Sequence, residues 1–289
     1  MHQAAHTPQN RQHCPIGVFD SGLGGLRVLD RLMESLPDEH FVYLGDTLHM
    51  PYGEKTPEQV SKYVSACLDW LFHQHQIKMM VVACNTAASV ASHTFSRYPD
   101  TPFLDPVTPI CRWLQAEDRY KSVGVMATPA TAASNRYESL LKELHSTVEL
   151  TQIGCNNLAT VIEEGRGETE ECLDMLRKYV APLVAKPVEA IILGCTHYPY
   201  VMHRIAEIVP QGVEILDPAV FMAMEAKHIL TQSNLKSPQK TGRTIAEVDY
   251  FVTAEPDQFY ETSLRMPFEA LAMKQPVIAP IHTPALATD

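Results

Sequence analysis

The stretch EAIILGCTH, residues 189–197, decides how the rest of the chain is read. Ile191, Ile192 and Leu193 form a short apolar run that reads as a buried strand ending at Gly194. A thiol, a hydroxyl and an imidazole then stand in a row, Cys195, Thr196 and His197, closed by Pro199. An earlier stretch, MMVVACNTA (79–87), has the same form, with Cys84, Asn85 and Thr86 after the strand. Upstream of each lies a second matched pair, IGVFDSG (16–22) and SVGVMATPA (122–130). Gly124 follows Gly17 by 107 residues, and Cys195 follows Cys84 by 111. The chain therefore repeats itself, and each half ends a buried strand in cysteine.

Helical stretches separate these strands. LRVLDRLMESL after the glycines 22–25 and EQVSKYVSACLDWLFHQH (58–75) are apolar at helical spacing, and FVYLGD (41–46) reads as a further strand. This alternation predicts an α/β fold with mostly parallel sheets. In open α/β sheets ligands bind beyond the carboxyl ends of the strands. If the halves face each other about a pseudo-twofold axis, the two thiols confront one another over one ligand. Such an arrangement suits removal of a proton from one face of a carbon and return of a proton to the other. A free thiol, with a pKa near about 8.5, is close enough to neutrality to be tuned for this. Asn85 and Thr196 are each read as opening a helix, whose N–H groups and side chains can serve as donors.

Composition sets the outer limits. At 289 residues two domains are expected, and 45% hydrophobic with 20% charged residues is the balance of a soluble globular protein. The formal net charge of −11 argues against nucleic acid and anionic membranes as partners. MHQAAHTPQNRQHC (1–14) has no apolar core, so it reads as a polar arm rather than a signal peptide, and its His2, His6 and His13 as solvated residues rather than metal ligands. No apolar run is long enough for a membrane span, and a cytoplasmic location is expected. The seven cysteines are odd in number and scattered, with no C-x-x-C, so neither a disulfide framework nor a structural zinc site is expected. SNLKSPQKTG (233–242) reads as a surface loop.

GVFDSGLGGLRVL, YLGDTLHMPYGEKT, VVACNTAAS, GVMATPATAASNRY and IILGCTHYP together resemble the signature segments of the bacterial glutamate racemases, in order from about Ile16 to Pro199. The resemblance implies a cofactor-independent isomerase of the aspartate/glutamate racemase family, supplying D-glutamate for peptidoglycan and commonly a homodimer. It implies that Cys84 deprotonates the D-enantiomer and Cys195 the L-enantiomer. It places Asp20, Ser21, Tyr52, Gly53, Asn85, Thr86, Thr196 and His197 against the substrate. Asp20 is implied as the proton-handling partner on the Cys84 side and His197 on the Cys195 side, with Glu163 a further acidic group in proton handling. No metal and no other cofactor is implied. FLDPVTP (103–109), GCNNLATVIE (154–163) and Asp217–Pro218 depart from the family's usual segments. The expected architecture is two pseudo-symmetric α/β domains with the site between them. They comprise residues 16–107 with 217–289, and residues 108–216, after an arm of 1–15.

Other readings compete. Strand, glycine loop and helix at 16–36, with Asp46 ending the next strand, is the outline of a dinucleotide site. The third glycine position, however, is Arg27, and Asp20 would repel a pyrophosphate. A thiol hydrolase using Cys195 and His197 leaves Cys84 idle, and side chains two apart at a strand end are expected to diverge. A two-lobed amino-acid-binding protein explains the repeat but not the thiols. Within the racemases, aspartate is the alternative substrate.

Overall fold

The computed structural model describes residues 11–117, 119–239, 241 and 245–281; His2 and His6 lie outside them. Ten strands form two sheets, and every pairing among the described residues is parallel. The first sheet holds β1 (Ile16–Asp20), β2 (His40–Gly45), β3 (Met79–Val82), β4 (Phe103–Leu104), β9 (Glu247–Val252) and β10 (Val277–Ile278), in the order β10-β9-β2-β1-β3-β4. The second holds β5 (Ser122–Ala127), β6 (Glu149–Gly154), β7 (Ala190–Gly194) and β8 (Glu214–Leu216), in the order β6-β5-β7-β8. The run β2-β1-β3-β4 thus recurs as β6-β5-β7-β8, which is the sequence repeat made visible. The α/β class with parallel sheets is as expected.

β1, β2, β3, β5 and β7 are buried on both faces, which is why they are apolar runs, whereas β6 and β9 alternate between covered and exposed residues. On one face of the first sheet, Ile16, Val18, Phe41, Tyr43, Met79 and Val81 pack against α1 (Leu26–Ser35). On the other, Phe19, Val42, Leu44, Met80 and Val82 meet Val60, Val64, Leu68 and Leu71 of α2 (Pro57–Gln74). Successive residues point to opposite faces, so a one-residue slip would exchange the two sets. α2 begins at Thr56, which closes a capping box with Gln59 and has Pro57 in the first helical position. Short α3 (Asn85–Val90) follows β3, and α4 (Val107–Ala116) leads to the second sheet.

The second sheet is covered in the same way. Val123, Val125, Ala190 and Ile192 pack with Ile110 and Leu114 of α4 and with Tyr137 and Leu140 of α6 (Arg136–Glu143), which follows α5 (Pro129–Ser134). Met126, Ile191 and Leu193 pack on α7 (Leu158–Glu163) and α8 (Glu170–Leu183), with α9 (Met202–Ile208) beyond. After β8, α10 (Pro218–Gln232) returns to α1, and α11 (Pro256–Ser263) follows β9. The Asp217–Pro218 departure suits the helix start: Pro218 takes the first position of α10, while Asp217 caps it through the Ala219 N–H at 2.9 Å and receives Arg27 Nε of α1 at 3.0 Å. The loop after α10 is not simply a surface loop. Leu235 is core, and Ser237 donates its N–H (2.8 Å) and hydroxyl (2.7 Å) to Glu39; Lys240 and residues 242–244 lie outside the described residues.

Candidate active site

The carboxyl ends of β1, β3, β5 and β7 converge on one buried region. β1 ends in Asp20, which is fully buried and accepts the Gly22 N–H at 2.9 Å and the Thr196 hydroxyl at 3.4 Å. The second contact crosses from one half of the chain to the other. Gly24 permits it, because a Cβ there would stand 2.2 Å from Thr196 Oγ1 and 2.7 Å from His197 Nδ1. The glycine loop is therefore filled by the opposite half, which leaves no room for a pyrophosphate. Burial pushes the Asp20 carboxyl above its usual range, against the pull of His197 and of the Gly22 and Gly25 N–H groups.

Cys84 caps α3. Its sulfur accepts the Ala87 N–H at 3.5 Å and lies 3.7 Å from the Ser21 hydroxyl. The residue is 5% exposed, and burial together with the Asp20 charge pushes its thiol up to about 12, against the Ala87 and Ser21 hydrogen bonds. Its surroundings thus favour the protonated thiol. Cys195 is 6% exposed, and its sulfur lies 3.8 Å from His197 Nδ1. Two expectations need correction here. Cys195 and His197 do not diverge, because the chain leaves β7 at Gly194 and turns through Thr196. Thr196 also opens no α-helix directly: His197 precedes a 3-10 turn, Tyr198–Val201, which runs on into α9 at Met202.

His197 is buried, and its Nε2 meets Glu163 Oε2 at 3.1 Å. Burial opposes its charge, but Glu163 and the hydrogen bond to Cys195 outweigh burial and hold the imidazole well above its ordinary pKa. A ring held toward its charged form therefore sits beside the Cys195 sulfur. Glu163, at the end of α7, faces a cavity of about 740 Å³ also walled by Leu23, Met50, Tyr200 and Phe259.

Beyond Cys84, Asn85 Oδ1 accepts the Tyr137 hydroxyl at 2.8 Å, and Thr86 Oγ1 lies 2.9 Å from Thr128 Oγ1 and 3.3 Å from Thr131 Oγ1. Gly53 packs on the same threonine, where a Cβ would stand 2.7 Å from Thr128 Cβ. Tyr52 is 1% exposed and donates its hydroxyl to Asp46 at 2.6 Å, so its side chain serves the wall rather than the chamber. Sequence reasoning missed Thr128, Thr131 and Tyr137. The repeat held the signal for Thr128, since the spacing between Gly17 and Gly124 pairs Ser21 with it.

Residues 16–226 match the family model of the Asp/Glu/hydantoin racemases. The chain belongs to that family. Among relatives of this racemase, the glutamate racemase of Pseudomonas syringae pv. tomato is 37% identical over 246 residues, 85% of this chain and 87% of that one. That of Trichormus variabilis is 35% identical over 259 residues, 89% and 85% of the two chains. Two crystal structures share the racemase fold at 30% identity. Francisella tularensis glutamate racemase in complex with D-glutamate has a TM-score of 0.84, covering 93% of this chain and 98% of that one. Bacillus anthracis RacE1 has a TM-score of 0.82, covering 88% and 94%. Among the described residues no cluster of His, Cys, Asp or Glu could hold a metal, and no helix is long and apolar enough to cross a membrane.

Proposed function

We propose that this racemase interconverts L- and D-glutamate by a two-thiol mechanism. The observation that carries the reading is the pair of buried strand-end cysteines, one from each half, linked through Ser21–Asp20–Thr196. The glutamate racemase relatives, and the D-glutamate bound in the Francisella structure, support the choice of substrate. The thiolate of Cys195 takes the α-proton of L-glutamate, with imidazolium His197 stabilising the anionic sulfur before transfer. The α-carbon becomes carbanionic, and the Cys84 thiol delivers its proton to the opposite face. D-glutamate leaves with the proton positions of the two sulfurs exchanged. Ser21, Asn85 and the hydroxyls of Thr86 and Thr128 supply polar groups for the substrate, and Asp20 is suited to its ammonium. Glu163 keeps His197 charged. No step is assigned to a cofactor.

The same reading places the enzyme in the cytoplasm, as a homodimer supplying D-glutamate to peptidoglycan synthesis, and divides the chain at residues 107–108 and 216–217. The division is supported by β4 and β8, which each close an edge of their sheet just before those points. Isotope tracing tests the chemistry. L-glutamate in heavy water, stopped early, should give deuterated D-product while the remaining L-substrate stays almost unlabelled, and the converse should hold from D-glutamate. Cys84→Ala should abolish racemisation. Near-normal racemisation by that variant would sink the two-thiol mechanism.

A further inference from the structure

Asp46 has no part in the reaction above, yet its carboxylate is completely buried. It follows β2, and its backbone N–H donates to the Asp20 carbonyl at 3.0 Å, which locks it to the end of β1. Its side chain gathers three segments. Oδ2 accepts the Tyr52 hydroxyl at 2.6 Å, Oδ1 accepts the Thr253 hydroxyl at 2.8 Å from beyond β9, and His49 Nδ1 lies 2.9 Å from both oxygens. A buried carboxylate holds such donors strongly, because losing one leaves charge unsatisfied in a low-dielectric setting. The loop from His49 to Gly53 is therefore pinned at two points. His49 also stacks on Tyr63, with ring centroids 3.9 Å apart.

What the loop does lies at its far end. Gly53 is pressed on Thr128 of the other half, and Thr128 bonds Thr86, two residues after Cys84. Met50 and Pro51 of the same loop wall the cavity at Glu163. A line of contacts thus runs from Asp46 through Tyr52, Gly53 and Thr128 to the hydroxyl cluster beside the reacting thiol. We infer that Asp46 is a positioning residue for substrate binding: through Tyr52 and His49 it holds the 49–53 loop against Thr128 and so fixes the place of the hydroxyl cluster beside Cys84. This rests on the glutamate reading, in which the hydroxyls of Thr86 and Thr128 supply polar groups for both enantiomers of the substrate.

Asp46→Asn keeps the shape and removes the charge; Tyr52→Phe removes only the hydroxyl. Each should raise KM about tenfold for L- and for D-glutamate, the size expected from a lost hydrogen bond to a charged group. Because the thiols are untouched, kcat should stay within about twofold. The double variant should raise KM no further than the stronger single change, since both act through one contact. A merely structural Asp46 would lower Tm and kcat with KM unchanged, and that result, or additive effects, overturns the inference. Tyr52→Phe, the milder change, decides the matter if Asp46→Asn does not fold. A wild-type enzyme that leaves glutamate unaltered overturns the functional reading and this inference together, whereas an active wild type with insensitive variants overturns only the latter.

Discussion

At the scale of single residues, Asp20 and His197 are both shifted upward, from opposite causes, and both make the fold less stable as pH rises. His197 gains charge partners, so it binds its proton more tightly when folded than when unfolded. The stability this gives is full below its unfolded pKa near 6.5 and is lost as pH rises through the higher native value. Asp20 also has a raised native pKa, but its cause is burial of a carboxylate. Its ionisation therefore opposes folding: the penalty is absent below the unfolded value of 3.8 and grows as pH climbs through the native one. Asp20→Asn should then raise Tm near neutral pH, with the advantage shrinking to nothing as pH falls toward 3.8. If Asp20 holds the substrate ammonium, as the proposed function has it, the same change should lower kcat/KM by about tenfold or more, the size of a lost hydrogen bond to a charged group. Thermal melts across pH, beside a circular-dichroism assay of racemisation, check both halves. A Tm gain that persists unchanged into acid would mean that packing, not ionisation, separates the two proteins.

Among the elements, much was legible because the strands are short apolar runs ending in chemically unlike residues. The repeat of IGVFDSG with SVGVMATPA and of MMVVACNTA with EAIILGCTH maps onto β1 with β5 and β3 with β7, a pair of adjacent strands in each sheet. The positions of Asp20, Ser21, Cys84, Cys195 and His197 at the strand ends followed from that pattern. Other features depend on contacts between distant segments, which local pattern does not encode. The stacking of Gly53 on Thr128 is one, and the return of α10 to α1 through Asp217 and Arg27 is another. The turn at Thr196, which folds His197 back onto Cys195, was misread because strand periodicity was extended past the strand's end. The glycine loop between β1 and α1 shows how tightly these elements fit. A methyl at Gly24 would invade Thr196 and His197, so Gly24→Ala should leave the two sheets folded but displace the Cys195 side of the site. A shift of about 1 Å at reacting groups costs about 10²-fold in rate. The loss should appear in kcat/KM while far-ultraviolet circular dichroism is unchanged; wild-type kinetics from Gly24→Ala would show that the loop yields without moving the site.

For the whole molecule, chemistry and stability are placed at opposite ends of the first sheet. The groups to which the proposed function assigns the reaction stand at the carboxyl ends of the strands. At the amino ends, Lys78, just before β3, meets Glu39, just before β2, at 2.5 Å, and both side chains are at most 1% exposed. Lys78 also donates to the Gln12 carbonyl at 2.6 Å and to the Ser237 hydroxyl at 3.0 Å, so the chain before β1 and the loop after α10 are joined at one point. Burial pulls the Lys78 pKa down and Glu39 pulls it up, a balance that holds only while the partner is present. Removing one member of such a pair leaves the other charge buried alone. Lys78→Met should therefore destabilise the protein by about 3–5 kcal/mol in urea unfolding. The strands between the pair and the site are covered on both faces and paired with their neighbours, contacts that do not depend on Lys78 or Glu39 and that keep the site in place without them. In consequence kcat and KM, measured at low temperature where the variant remains folded, should match the wild type in both directions. Altered KM with a small loss of stability would show that the two ends of the sheet are coupled, and that the amino end helps to set the width of the site.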